Sequence, residues 1–164
     1  MVVQLQGALA RRDRWLAPER CSLDRAIGVV GTRSALLLMR EAFYGTTRFD
    51  DFARRVGVTE AVASARLKEL VEAGLLARVP YQEPGQRTRH EYVLTDSGCD
   101  LFPVALALMQ WGDKYVAEAG GPLELTHAGC GEPIAVEVRC AAGHQVPLDE
   151  VAAAARKPRS GSSD

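Results

Sequence analysis

The chain has 164 residues, 47% of them hydrophobic and 25% charged, with a formal net charge of −1. That balance is ordinary for a globular protein with one sizeable domain and an appendage. No apolar run approaches the roughly 18 residues of a membrane span, and the N-terminal stretch lacks the apolar core of a signal peptide, so the cytoplasm is the expected compartment and no membrane partner is expected. The four cysteines, Cys21, Cys99, Cys130 and Cys140, are too few and too scattered for a secreted disulfide framework.

Charge is distributed unevenly. Between Arg48 and Arg89 eight Arg/Lys face six Asp/Glu, whereas Gly112 to Ala155 holds two against seven. Positive charge thus collects in the middle of the chain and negative charge towards its end.

In chain order, Leu5, Leu9, Arg12 and Leu16 or Trp15 fall near helical spacing, which predicts an amphipathic helix over Leu5 to Leu16, ended by Pro18. A second helix opens at Ser22-Leu23-Asp24, with Ser22 as the expected N-cap, Leu23, Ile27 and Val30 as its buried stripe and Gly31 as its end. Thr32 is placed to cap a third helix running through Phe43, with Ala35, Leu36, Leu38, Met39 and Phe43 buried and Gly45 closing it.

Arg48 to Arg55 reads as a short helix, Val56-Gly57-Val58 as a tight bend, and Thr59 to Gly74 as a longer helix. Ala63, Leu67, Leu70 and Val71 recur there with the spacing of one buried stripe, while Glu60, Ala61, Ala65 and Lys68, bordered by Ser64, form the opposite side. Two short helices joined through a glycine-containing turn are the layout of a helix-turn-helix, whose second helix can enter the DNA major groove. Leu76 to Tyr81 and Arg87 to Thr95 are β-compatible runs either side of a Pro84-Gly85 turn, so the hairpin reads as a wing.

A long helix is expected from Ser97 to about Ala119, apolar along Leu101, Val104, Ala105, Leu108, Trp111, Gly112 and Tyr115, with a second apolar side at Phe102, Leu106 and Met109. A helix apolar on two sides needs two surfaces to bury against, and a second subunit supplies one of them most simply, although the tail is an alternative cover. After Gly120-Gly121-Pro122 the composition changes. Leu123 to Thr126 and Ile134 to Val138 alternate with a period near two and predict a small hairpin, Asp149 to Arg156 a last short helix, and Lys157 to Asp164 a disordered tail. The expected organisation is therefore a DNA-binding and dimerisation domain over 1–120, a small β-rich extension over 121–156 and a tail over 157–164. The fold class is mainly α with a small β wing (α+β), a winged helix-turn-helix.

Several motifs in this order resemble the HxlR family of bacterial winged-helix transcriptional regulators, within the MarR-like superfamily. They are Cys21-Ser22-Leu23, Gly45 followed by Arg48-Phe49-Asp50-Asp51-Phe52, Leu67-Lys68-Glu69-Leu70-Val71-Glu72-Ala73-Gly74-Leu75, His90-Glu91-Tyr92-Val93-Leu94-Thr95 and Trp111-Gly112. The resemblance implies a homodimer, built through terminal helices, that binds an inverted-repeat operator in double-stranded DNA. It also implies a cysteine at the position of Cys21 that senses oxidants or electrophiles in some relatives, against which stands the reading of Cys21 as a buried structural thiol. Two departures are visible: Arg33-Ser34 where the family usually has Lys-Trp, and Ala65 where the recognition helix often carries a polar residue.

DNA recognition needs phosphate anchors and groups that reach base edges. Thr59 can cap the recognition helix, Glu60 can accept from a cytosine amino group, Ala61 and Ala65 can touch thymine methyls, and Ser64 and Lys68 can bond bases or phosphates. Arg87 and Arg89 suit phosphates or a narrow minor groove. The alternative for each is an ordinary solvated side chain. In the tail, His127 with Cys130 and Cys140 with His144 form two pairs that could offer four ligands to zinc across a hairpin, although the three residues between Cys140 and His144 depart from the usual zinc-ribbon spacing. No other cofactor is indicated.

Catalytic signatures are lacking: there is no phosphate-binding glycine loop or nucleophile elbow, and His90, His127 and His144 have no evident carboxylate constellation. A dimeric regulator is expected, and a repressor more than an activator, because occupying an operator is the simplest way for so small a protein to act. The other readings are a redox- or metal-responsive sensor that answers to a small-molecule or redox effector, and a winged-helix module that binds protein without specific DNA.

Overall fold

The computed structural model describes residues 2–12, 21–85, 87–118 and 120–155. The chain forms two compact units, Glu19–Val136 and the joined ends Met1–Pro18 with Glu137–Asp164.

In the larger unit, α1 (Ser22–Val30) and α2 (Arg33–Phe43) precede the pair α3 (Phe49–Val56) and α4 (Glu60–Glu72). The wing strands β2 (Leu76–Tyr81) and β3 (Arg89–Leu94) follow, then α5 (Asp96–Asp100) and α6 (Phe102–Tyr115). Leu38, Met39, Phe52, Leu67, Leu70 and Leu76 are fully buried where α2, α3, α4 and β2 meet. Each such side chain contributes about 1.5–3 kcal/mol by leaving water. Thr32 caps α2 as expected, its hydroxyl accepting from the Ala35 N–H at 3.2 Å.

The bend between α3 and α4 is set locally. Gly57 sits in the left-handed region at φ 69°, and its N–H and that of Val58 both donate to the Ala53 carbonyl, ending α3 in one turn. β2 and β3 pair antiparallel from Leu76↔Leu94 to Tyr81↔Arg89. A third edge, not foreseen, joins them: Arg48 bridges Glu91, and the Tyr92 N–H donates to the Thr47 carbonyl at 2.8 Å. The chain thus enters α3 already tied to the wing.

Five expectations about elements are corrected. The helix over Leu5 to Leu16 is absent where the chain is described, and the part from Asp13 lies outside the described residues. Gln4–Leu5 is instead a short strand, β1, parallel to β4 (Ala152–Ala153), because the Gln4 and Gln6 amides donate to Val151 and Ala153. A 3-10 turn over Gly7–Ala10 follows. In α1, Cys21 rather than Ser22 is the N-cap, and Leu23 and Ile27 are 67% and 54% exposed instead of buried.

The long helix is divided in two. Thr95 caps α5, accepting from the Gly98 N–H, and the chain turns at Leu101 before α6, which carries Pro103 in its first turn. Proline donates no backbone hydrogen bond, so a helix starts there more readily than it continues.

The tail hairpin does not form a ladder. Thr126 bridges Pro133 and the Ile134 N–H reaches the Leu125 carbonyl, but the Gln110 side chain takes the Ile134 carbonyl and the Val136 N–H, groups a strand would have used. In the smaller unit, Leu148–Glu150 is a 3-10 turn leading into β4, in place of the expected last helix. The expected disordered tail, 157–164, lies outside the described residues.

Candidate nucleic-acid interface

The surface centred on α4 follows from its sequence period. Ala63, Leu67 and Leu70 are buried at i, i+4 and i+7, which turns Glu60, Ala61, Ser64, Ala65 and Lys68 to solvent. Val71, expected in the same stripe, is half-buried at its edge. Val62, 41% exposed, borders the outward face as well, an apolar contact the period alone did not single out.

Thr59 holds the start of this helix. Its hydroxyl accepts from the Val62 N–H at 3.3 Å, and the remaining first-turn amides project beyond the helix end, where a phosphate oxygen can meet them. Lys68 reaches Glu72 at 3.7 Å, with both side chains largely exposed. Such a solvated pair is worth about 0.3–0.5 kcal/mol, so exchanging Glu72 for a DNA phosphate costs little. Arg66, half-buried, pairs with Glu69 and steadies the helix instead.

The wing supplies a second set of cations. Gly85 adopts φ 75° in the turn after Pro84, and Arg87 and Arg89 are both exposed beyond it. Two further arginines escaped the sequence reading. Arg48 looked like the first residue of α3, but its guanidinium carbon lies 3.3 Å from the Tyr81 ring centroid, with Glu83 and Glu91 each at 3.9 Å. Arg78 looked like an ordinary strand residue, yet it is exposed and lines a groove with Arg48 and Arg89. The only sequence signal was the excess of arginine between Arg48 and Arg89.

The other candidates are placed differently. Cys21 is exposed at the N-cap of α1, its side chain making no capping bond, and all four cysteines are exposed free thiols. His127 and Cys130 share a turn in the larger unit, Nδ1 to Sγ at 3.1 Å. Cys140 and His144 close a separate turn in the smaller unit, the Cys140 N–H donating to the His144 carbonyl. Among the described residues no group of three or more His, Cys, Asp or Glu side chains is placed to hold a metal ion. No described helix is long and apolar enough to cross a membrane.

The family model described as HxlR-like helix-turn-helix matches residues 29–119, more than half of the chain. The uncharacterised HTH-type transcriptional regulator Rv3095 of Mycobacterium tuberculosis is 48% identical over 112 residues, covering 68% of this chain and 70% of that protein. Among solved structures, PA1607, titled a candidate transcription factor, is 32% identical with a TM-score of 0.72, covering 87% of this chain and 97% of its own. PA1374 of Pseudomonas aeruginosa, titled in the same way, is 34% identical with a TM-score of 0.61, covering 87% and 96%.

Proposed function

This chain belongs to the HxlR-like helix-turn-helix family of transcriptional regulators, and we propose that it acts as a homodimeric repressor whose two α4 helices enter successive major grooves of an inverted-repeat operator. Its relatives are regulators and not enzymes. The observation that carries the reading is the face of α4: small and polar groups outward, three buried apolar anchors inward, and the arginine-bearing wing following directly in the chain. Ala61, Ser64 and Ala65 let the helix approach base edges closely, Glu60 can read a cytosine, and Lys68, Arg87 and Arg89 meet phosphates.

Pairing of two copies is supported by apolar surface that one chain leaves uncovered. Val104, Leu108, Trp111 and Tyr115 follow one another on α6 at helical spacing, and each is more than half exposed. Beside them a groove of roughly 200 Å³ between α2 and α6 is lined by Leu36, Leu37, Arg40, Ala105, Leu108 and Met109. Leu23 and Ile27 add a further exposed apolar face on α1. Apolar area of this extent on a regulator is most economically covered by a second copy, since a two-fold interface presents the same patch twice.

The test is to incubate the purified full chain with fragmented genomic DNA of its host and sequence what it retains. An enriched motif with two-fold symmetry, whose promoter is silenced in purified transcription when the chain is added, is the expected result. Retention without any shared motif would contradict it.

A further inference from the structure

We propose that the groove between α6 and the segment after Gly121 binds a small organic ammonium ion whose apolar body is about one ring in size, with Asp113 and Glu124 meeting its charge. The inference does not depend on the DNA-binding reading above.

The site follows from the period of α6. Val104, Leu108, Trp111 and Tyr115 make up the exposed stripe, whereas Leu106, Gln110 and Asp113 recur at i, i+4 and i+7 on the opposite side. Residues 123–134, in the same compact unit, lie along that opposite side. Gln110 clasps them there: its amide donates to the Ile134 carbonyl at 2.8 Å and its side-chain carbonyl accepts from the Val136 N–H at 3.0 Å. The clasp does not bring helix and segment into full contact, and a solvent-open groove of roughly 240 Å³ remains between them. Leu106, which is buried, and Met109, Leu125 and Ile134, which are half-buried, form its apolar lining.

The charge of the groove is of one sign. Asp113 and Glu124 line it, and none of its described lining residues is basic. Among the described residues neither carboxylate has an ion-pair or hydrogen-bond partner. Lys114, next to Asp113 in the chain, instead lies over the Tyr115 ring, 5.0 Å from its centroid. Two like charges at one groove add their potentials, which draws a cation in and keeps an anion out. A bare inorganic cation would leave the apolar walls uncovered, so the complementary ligand carries hydrocarbon beside its charge. The volume is below the about 300–1,000 Å³ of drug-sized pockets, which sets the scale at one ring.

Asp113 is held in place by what Gly121 lacks. A Cβ at that position would stand 2.1 Å from Asp113 Oδ1 and 2.6 Å from its Cγ, so any other residue would push the carboxylate away. Half-buried against the glycine, the carboxylate has lost part of its water shell, and a charged N–H donor from a ligand restores the lost hydrogen bonds. Because the groove faces away from the exposed stripe of α6, a bound ligand leaves that stripe free and fastens residues 123–134 more firmly to the helix.

The experiment titrates the full chain with phenethylammonium, with its neutral and anionic counterparts phenethyl alcohol and phenylacetate, and with methylammonium, by isothermal calorimetry. Phenethylammonium is expected to bind saturably, and the other three at least about tenfold more weakly, the low end for a hydrogen bond to a charged group because the groove is open to water. Asp113→Asn and Glu124→Gln are each expected to weaken phenethylammonium by about the same factor. Gly121→Ala should do likewise, since it keeps both charges and displaces the Asp113 carboxylate. Circular dichroism melting confirms that each variant folds. No saturable binding of phenethylammonium overturns the assignment. Equal binding of the alcohol would make the groove a purely apolar site, equal binding of methylammonium a bare ion pair, and binding unchanged in all three variants would put the ligand elsewhere. Each of these outcomes also overturns it.

Discussion

Phe52 of α3 and Tyr92 of β3 meet edge to face, with ring centroids 6.1 Å apart and planes at 88°. This contact ties the first helix of the helix-turn-helix to the wing, and Phe52 is fully buried among Leu38, Met39 and Leu67. Truncating Phe52 to alanine removes both the contact and the filling of the core. The expected cost is about 3–5 kcal/mol, a large share of a typical domain's stability of about 5–15 kcal/mol. Urea denaturation followed by circular dichroism checks it, with Phe52→Leu expected to cost well under half as much.

Thr59→Ala removes the hydroxyl that accepts from the Val62 N–H and should cost about 1 kcal/mol, read as a small drop in melting temperature. Because the cap orders the helix end and carries no base information, the variant should weaken binding to all DNA sequences by a similar factor. A change in sequence preference without a change in melting temperature would mean that Thr59 reads bases directly.

Charge and shape on α4 should separate in titrations. Lys68→Ala and Arg87→Ala are expected to weaken binding to every sequence and to lower the salt slope by about 0.9 per chain each. Glu60→Ala is expected instead to relax discrimination at one base pair, by about 1–3 kcal/mol, with little effect on salt dependence. Mobility shifts against an operator and a scrambled duplex distinguish the two patterns.

How much of this surface was legible beforehand depended on how local its causes are. The α4 stripe of Ala63, Leu67 and Leu70, the Thr59 and Thr32 caps and the left-handed Gly57 are all set within a few residues, and each was readable from spacing and residue type. Pro103, which divides the long helix, is as local and was passed over, whereas the misreadings at the two ends of the chain came from partners distant in sequence. Leu5 and Leu9 kept helical spacing, but the Gln4 and Gln6 amides were claimed by Val151 and Ala153. Ile134 to Val138 alternated like a strand, but Gln110 from α6 took the Ile134 carbonyl and the Val136 N–H. The same limit hid the stacking of Arg48 on Tyr81 and the groove it shares with Arg78.

The exposed stripe on α6 makes oligomeric state a sharp test. The chain is expected to sediment as a dimer, and Trp111→Ala, which removes a 56% exposed aromatic from the centre of the stripe, should weaken pairing by about 2 kcal/mol, or about 30-fold. Leu108→Asp should yield a folded monomer that no longer retains operator DNA. A dimer unaffected by both substitutions would move the interface elsewhere.

Hydroxyl-radical footprinting of the full chain on a retained genomic fragment bears most directly on the central claim, that two copies of α4 read successive major grooves. The account predicts two protected patches on one face of the duplex, related by a two-fold axis and centred about 10–10.5 base pairs, or a multiple of that, apart. A single patch without symmetry, or uniform protection along the fragment, would contradict it.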